Sequence, residues 1–309
     1  MSTPPLPASM RVLQRGWLSS NNILFLDEEP TLVDSGYVSH AEQTLALVEN
    51  ALAGYPQGLR RIINTHLHSD HCGGNALLQQ RYGCRTLIPA AEADVVRDWD
   101  EARLSYRATG QQCARFAFDG TLRPGDTLTL GHLAWEVLGA PGHDPHSLML
   151  YCPAEAILIS ADALWENGFG VIFPELDGAS GFAEQGAVLD LIGRLEVRCV
   201  IPGHGAPFGE PARALDVARS RLAYLRADPR RNARNALKVL IVFRLLSARQ
   251  LARAELQAML AQADVMRAAA AMLAPPADWP ALLDELCGEL ARAGAVRLDG
   301  DTVSAAGQP

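Results

Sequence analysis

The sequence predicts an α+β protein: a sandwich of strands and helices over residues 1–208, followed by a small, mostly helical domain over residues 209–309. Three observations carry this reading. In the first two thirds, short apolar runs alternate with helical spacing, twice over. From about residue 211 the strand-like runs almost vanish and helical spacing takes over. The length, 309 residues, suits two domains of roughly 100–200 residues each.

MRVLQR, NILFLD and PTLVD read as strands. Ser39 and Glu42 have the spacing of a capping box and predict a helix to about Leu52. RRIINT, residues 60–65, is a strand that runs into THLHSDHCGGN. A short helix and the strand RTLI follow. Residues 91–118, with Trp99, Tyr106 and Phe116, lack a clean period and read equally as a pocket wall or as a surface helix with a loop. DTLTL, HLAWEVLGA, SLMLY and AILIS are four strand-like runs divided by turn residues. A helix is expected from Ser180 to about Leu195, and CVIPGHG is a strand ending in a loop. Helical spacing then runs through RALDVARSRLAYL, ARNALKVLIVFRLL and ARAELQAML. Pro275 and Pro276 interrupt it, and it resumes at Trp279–Ala293. Asp299-Gly300 between two β-prone stretches predicts a hairpin. Helices closed by a hairpin look like a small winged-helix domain.

Charge is divided unevenly. Residues 1–209 carry 13 basic and 24 acidic side chains, and residues 210–309 carry 14 and 11, which together give the net charge of −8. The first part is therefore a poor partner for a phosphate backbone. Lys238 is the only lysine. Arg219, Arg221, Arg226, Arg230, Arg231 and Arg234 form an arginine-rich stretch that reads either as a nucleic-acid surface or as a solvated face with salt bridges; the small net charge of its domain favours the second. The six cysteines, at 72, 84, 113, 152, 199 and 287, contain no CxxC pair and read as reduced, mostly buried thiols. The N-terminal residues lack the apolar core of a signal peptide, and no run reaches the ~18 apolar residues of a membrane span, so a cytoplasmic protein is expected.

The chemistry concentrates in THLHSDH. His66 and His68 are two apart, so on a strand both imidazoles face one side. Asp70 and His71 follow where the strand gives way to a loop, and Gly73 and Gly74 are expected to let the backbone turn. Four metal-ligand side chains within six residues are not explained by packing. Further ligand types end later apolar runs: His143 in APGHDPHS, Asp162 in ISAD and His204 in IPGHG. His146 reads as a loop or substrate-facing residue, and His40 and His132 as structural.

THLHSDH, PGHDPHS, SAD and PGHG resemble, in order, the motifs of the metallo-β-lactamase superfamily, over about residues 10–208. The resemblance implies an αβ/βα sandwich with the site at the sheet edges. It implies two divalent ions, zinc in the first place and iron or manganese as alternatives. His66, His68 and His143 would serve the first ion, Asp70, His71 and His204 the second, and Asp162 would bridge them. It also implies a hydrolase of the glyoxalase II-like or lactonase-like branch, in which a metal-bridging hydroxide attacks a small ester, thioester or lactone and Asp70 acts as the catalytic proton acceptor.

Other readings make different demands. An antibiotic-cleaving β-lactamase is not expected to use a ligand at Asp162. An RNA endonuclease or phosphodiesterase needs a basic groove. A persulfide dioxygenase with a single iron uses the same residue types and stays open. A metal-binding regulator or a pure interaction module predicts lost ligands, and all seven are present. The expected partner is a small acyl molecule, with neither nucleic acid nor membrane. Residues 209–309 are expected to wall the pocket or to form homodimer contacts.

Overall fold

Residues 23–25 show how the layers arise. Ile23 and Phe25 point into the space between two sheets, while Leu24 points the opposite way, under helices. A strand alternates its side chains in this way. The computed structural model of the chain describes residues 4–306.

The first sheet has six strands in chain order: β1 (Met10–Leu13), β2 (Asn22–Phe25), β3 (Thr31–Val33), β4 (Arg61–Ile63), β5 (Arg85–Pro89) and β6 (Gly120–Leu122). β1 to β3 pair antiparallel and β3 to β6 parallel. Between these strands lie α1 (Ala41–Ala51), α2 (Ser69–Cys72), α3 (Asn75–Tyr82), α4 (Ala93–Asp98) and α5 (Tyr106–Thr109). The second sheet holds β7 (Thr127–Leu130), β8 (Leu133–Gly139), β9 (Leu148–Cys152), β10 (Ile157–Ala161) and β11 (Cys199–Pro202), in the order β11-β10-β9-β8-β7. α6 (Phe182–Ile192) crosses from β10 to β11, which pair parallel.

Ile63, Trp135, Val137, Leu150, Ile159 and Ile201 fill the space between the sheets. Val48 and Leu78 of α1 and α3 cover the outer face of the first sheet, and α6 covers that of the second. Both faces of the central strands are thus buried, which is why they read as continuous apolar runs.

The C-terminal part contains α7 (Pro211–Ala227), α8 (Arg230–Ala248), β12 (Gln250–Ala252), α9 (Arg253–Gln262), α10 (Asp264–Leu273), α11 (Trp279–Arg292), β13 (Val296–Asp299) and β14 (Thr302–Ala305). The hairpin at Asp299-Gly300 is present. β12, too short to leave a pattern in sequence, pairs with β14 and makes a three-stranded sheet. α7 buries Ala214, Leu215, Ala218 and Leu222 with the second sheet and α6. α8 buries Ala233, Ala236, Leu237, Leu240, Ile241 and Leu245 in a separate core, which also takes Val171 and Leu176 from the loop after β10.

Three local expectations are corrected. The Ser39–Glu42 capping box does not form: residues 38–40 make a 3-10 turn, and α1 starts at Ala41 behind His40 with no side-chain cap. β4 stops at Ile63, so His66 and His68 lie beyond the strand, and Asp70 and His71 sit on the single turn of α2. Gly73 and Gly74 have ordinary helical dihedrals. Their role is close approach, since a Cβ at either position would collide with the backbone of residues 35–38.

Candidate metal centre

The site lies where strands end. Asp34 follows β3, His66 to His71 follow β4, His143 follows β8, Asp162 follows β10 and His204 follows β11. At the end of β10 the pairing with β11 shifts register, and Ala161 takes φ 47°. A positive φ is costly for alanine. Here it turns Asp162 out of the sheet and into the cluster. Gly203 beside it is required by space, because a Cβ there would collide with the Asp162 carboxylate.

All seven residues named from sequence converge. Three sets have donor atoms within 4.8 Å of one another: His66 with His68 and His143, His66 with His71 and Asp162, and Asp70 with His71 and His204. Asp162 Oδ2 is central, at 3.4 Å from His143 Nε2, 3.5 Å from His71 Nε2 and 3.9 Å from His204 Nε2. Asp70 Oδ2 lies 3.0 Å from His204 Nε2 and 3.8 Å from His71 Nε2.

Hydrogen bonds set the tautomers. His71 Nδ1 donates to Asp34 Oδ2 at 2.7 Å. The Thr65 hydroxyl donates to the same oxygen at 2.8 Å, so it accepts from His66 Nδ1 at 3.1 Å. His143 Nδ1 donates to the Val171 carbonyl at 2.5 Å. In His66 and His143 this leaves Nε2 as the lone-pair atom, and in His71 it turns Nε2 toward the cluster. His66 Nε2 and His71 Nε2 are buried with no hydrogen-bond partner among the described residues. Such atoms are costly unless something outside the chain meets them.

Burial keeps His66 far below the usual histidine range, and it pushes His68 and His143 down to about 4. All three are neutral at pH 7, the form that binds metal. His71 is raised: burial opposes its charge, but Asp34, Asp162 and Asp70 outweigh it. Burial would raise Asp162, yet His204, His71 and His143 hold it well below the carboxylate range.

Asp34 and Trp17 were not foreseen as parts of the site, and neither was the bond from Trp165 to Asp162. Asp34 orients two histidines. The Trp165 indole donates to Asp162 Oδ1 at 3.1 Å, which leaves Oδ2 to the histidines. Trp17 stacks on His204, with ring centroids 5.3 Å apart. Asp34 ends an ordinary strand run and Trp17 lies in a turn, so neither carries a local signal.

A cavity of about 350 Å³ opens on the cluster. His68, Asp70, His143, Asp162 and His204 line it, together with Trp165, Phe169 and Phe173. α8 also lines it, through Val239, Val242, Phe243 and Leu246. These residues recur at i, i+3, i+4 and i+7, a second apolar stripe beside the core-facing one. The segment 91–118 divides: Trp99, Tyr106 and Phe116 pack into a buried cluster, while Ser105, Thr109 and Gln111 reach the cavity. His146 lies 3.7 Å from Glu92, His40 is bonded to Ser19, and His132 lies near Glu28. Cys72 is buried, 3.8 Å from Cys113 and 3.2 Å from the Tyr106 hydroxyl. No helix among the described residues is long and apolar enough to cross a membrane.

The family model of the metallo-beta-lactamase superfamily matches residues 15–204, more than half of the chain. The chain belongs to the metallo-beta-lactamase superfamily. Two curated relatives are hydroxyacylglutathione hydrolases. The protein from Hyphomonas neptunium is 29% identical over 115 residues, covering 37% of this chain and 38% of its own length. The protein from Thermosynechococcus vestitus is 28% identical over 154 residues, covering 50% of this chain and 53% of its own. The chain thus spans about half or less of the length of these relatives. Among solved structures, a metallo-beta-lactamase family protein from Thermus thermophilus aligns with a TM-score of 0.59 at 20% identity, over 97% of this chain and 100% of that one. A metallo-beta-lactamase from Cronobacter sakazakii aligns with a TM-score of 0.58 at 17% identity, over 71% of this chain and 92% of its own. At these identities the structures share the fold. Superfamily members bind divalent metals, and the His/Asp cluster of this chain stands where the fold presents its strand ends.

Proposed function

We propose that the protein is a metal-dependent hydrolase of small acyl compounds: an ester, a thioester or a lactone. The observation that carries this reading is a mostly apolar cavity opening directly on the His/Asp cluster. The donor set fits two divalent ions, because two buried histidine nitrogens have no hydrogen-bond partner among the described residues and three histidines are held neutral. In this reading His66, His68 and His143 would hold one ion, Asp70, His71 and His204 would hold the other, and Asp162 would be a ligand to both. Imidazole and carboxylate donors suit zinc first, with iron or manganese as alternatives.

When bound, the ions supply an activated water at neutral pH and a Lewis acid for the substrate oxygen. The chain does the rest. Asp70 turns Oδ2 toward His204 and His71. Asp70 would accept a proton from the attacking water. Trp165 holds Asp162 in one orientation. Phe173 lies against His68 and His143, and α8 adds apolar lining, so the acyl group would replace water around the reacting carbonyl.

A nucleic-acid substrate is disfavoured because the arginine-rich stretch is largely engaged. Arg219 pairs with Asp190 at 3.2 Å, Arg230 with Asp228 at 2.9 Å and Arg234 with Glu289 at 2.5 Å, and Arg231 lies over Tyr224. The test is metal analysis of the purified protein together with kcat/KM for acyl thioesters, lactones and bis-aryl phosphodiesters. Acyl compounds are expected to lead. A phosphodiester advantage above about tenfold, roughly 1.4 kcal/mol in the transition state, overturns the reading.

A further inference from the structure

Two of the six cysteines form a pair. Cys72 Sγ and Cys113 Sγ lie 3.8 Å apart, although 41 residues separate them in the chain. A disulfide needs about 2.05 Å, so an approach of roughly 2 Å joins them. The other four thiols are buried elsewhere. Cys84 lies in the core under α1 and α3, and Cys287 in the C-terminal core. Cys152 and Cys199 are paired with Ile157 from opposite sides of β10. Two strand spacings, about 10 Å, therefore divide them, which is beyond the reach of a disulfide.

Cys113 is the only one of the six that is not buried. It sits in the irregular segment 111–118, whereas Cys72 ends α2, the single turn that carries Asp70 and His71. The next residue, Gly73, seats against the backbone of residues 37 and 38, where a Cβ would collide. α2 is thereby held, and the approach falls to Cys113. Losing the Cys72 S–H strands no polar group. Its sulfur lies 3.5 Å from the Leu67 carbonyl and 3.3 Å from the His68 carbonyl. The Tyr106 hydroxyl donates to the first at 3.0 Å, and the His71 N–H donates to the second at 2.9 Å. Both carbonyls keep a donor when the thiol becomes a disulfide.

We propose that Cys72 and Cys113 are an oxidation site: a peroxide converts them to a disulfide, which fastens α2 to segment 111–118 and slows the opening of the turn that carries Asp70 and His71. The Cys113 sulfur attacks the O–O bond of hydrogen peroxide and takes up one oxygen as a sulfenic acid, while the other leaves as water. The Cys72 sulfur then displaces that hydroxyl. The S–S bond forms, the S–O bond breaks, and the hydroxyl leaves with the Cys72 proton as a second water. Two thiols are oxidised, and hydrogen peroxide is reduced to two waters. The crosslink also reaches the cavity edge, because Gln111 lines the cavity and accepts a hydrogen bond from the hydroxyl of Ser69, the first residue of α2. The chemistry is independent of the substrate.

The experiment uses the full chain loaded with zinc. Hydrogen peroxide is added in small molar excess, the protein is denatured, the remaining thiols are blocked with N-ethylmaleimide, and the digest is mapped by mass spectrometry. A Cys72–Cys113 linkage that dithiothreitol reverses is expected, with Cys84, Cys152, Cys199 and Cys287 recovered as blocked thiols. A second portion of the oxidised protein, kept folded, is mixed with excess EDTA, and zinc release is followed. Release is expected to be slower than from the reduced protein by about threefold or more, because the crosslink opposes local opening. The melting temperature is expected to rise by about 5 °C or more, from closure of a long loop. Cys113→Ser removes the accessible thiol, so peroxide is expected to form no linkage and to leave zinc release unchanged. If Cys113→Ser does not fold, Cys72→Ala carries the same comparison. Peroxide that leaves both thiols free, drives Cys113 to a sulfinic acid without a linkage, or links other cysteines overturns the proposal. So does a Cys72–Cys113 disulfide whose zinc release is no slower than that of the reduced protein.

Discussion

Asp34 and His71 lie 37 residues apart in the chain, and their side chains meet at 2.7 Å. That bond directs His71 Nε2 into the cluster, and through Thr65 the same carboxylate oxygen also orients His66. Partners of this kind typically contribute 10–100-fold to metal affinity. Asp34→Ala is therefore expected to weaken metal binding by about that factor while His68, held elsewhere, keeps its place. Chelator competition followed by elemental analysis measures it; wild-type retention of metal would remove Asp34 from the site.

Trp165 provides a second, milder test. Its indole N–H fixes Asp162 Oδ1 and so decides which carboxylate oxygen faces the histidines. Trp165→Phe keeps the ring against Trp17 and His204 but removes the donor. A loss of about tenfold in metal affinity is expected. Should Trp165→Ala be harmful and Trp165→Phe neutral, the residue packs and does not position.

Asp70 is the group expected to handle the proton. Asp70→Asn should preserve the fold and at least one ion, and lower turnover by about 10²–10⁴-fold. The check is kcat together with the metal-to-protein ratio. Near-normal turnover with normal metal content would move proton transfer to another group.

Glu92 gives a pH signature away from the ligands. Burial first, then Asp144, pushes its carboxyl up to about 7 from an ordinary 4.5. The folded state therefore holds a proton that the unfolded state releases between these values, and folding stability falls as pH rises through that window. Glu92→Gln should raise the melting temperature at pH 8 and leave it nearly unchanged at pH 4. The gain is on the order of 2 kcal/mol, reduced by partial solvent access. Equal effects at both pH values would show that Glu92 is not titrating.

Much of the site was legible because its donors cluster along the chain. His66, His68, Asp70 and His71 sit within six residues, and the other three end apolar runs beside glycine, proline or small residues. The supporting groups were hidden. Asp34 and Trp17 have no spacing that marks them. The cavity wall on α8 was masked because LKVLIVFRLL is apolar on two faces, one for the C-terminal core and one for the cavity. β12 escaped notice because three residues acquire strand geometry only by pairing with β14.

By itself, then, the sequence determined which donor atoms exist, that four of them lie close together, and that strands and helices alternate twice before a helical end. Those properties depend on neighbours within a few residues, and side-chain period and turn chemistry report them directly. The tertiary structure alone decided which nitrogen of each histidine faces inward, which oxygen of Asp162 meets the histidines, and that α8 turns a second apolar stripe to the cavity. Hydrogen-bond direction and desolvation are set by groups that are distant in the chain and meet only when the sheets and helices have packed.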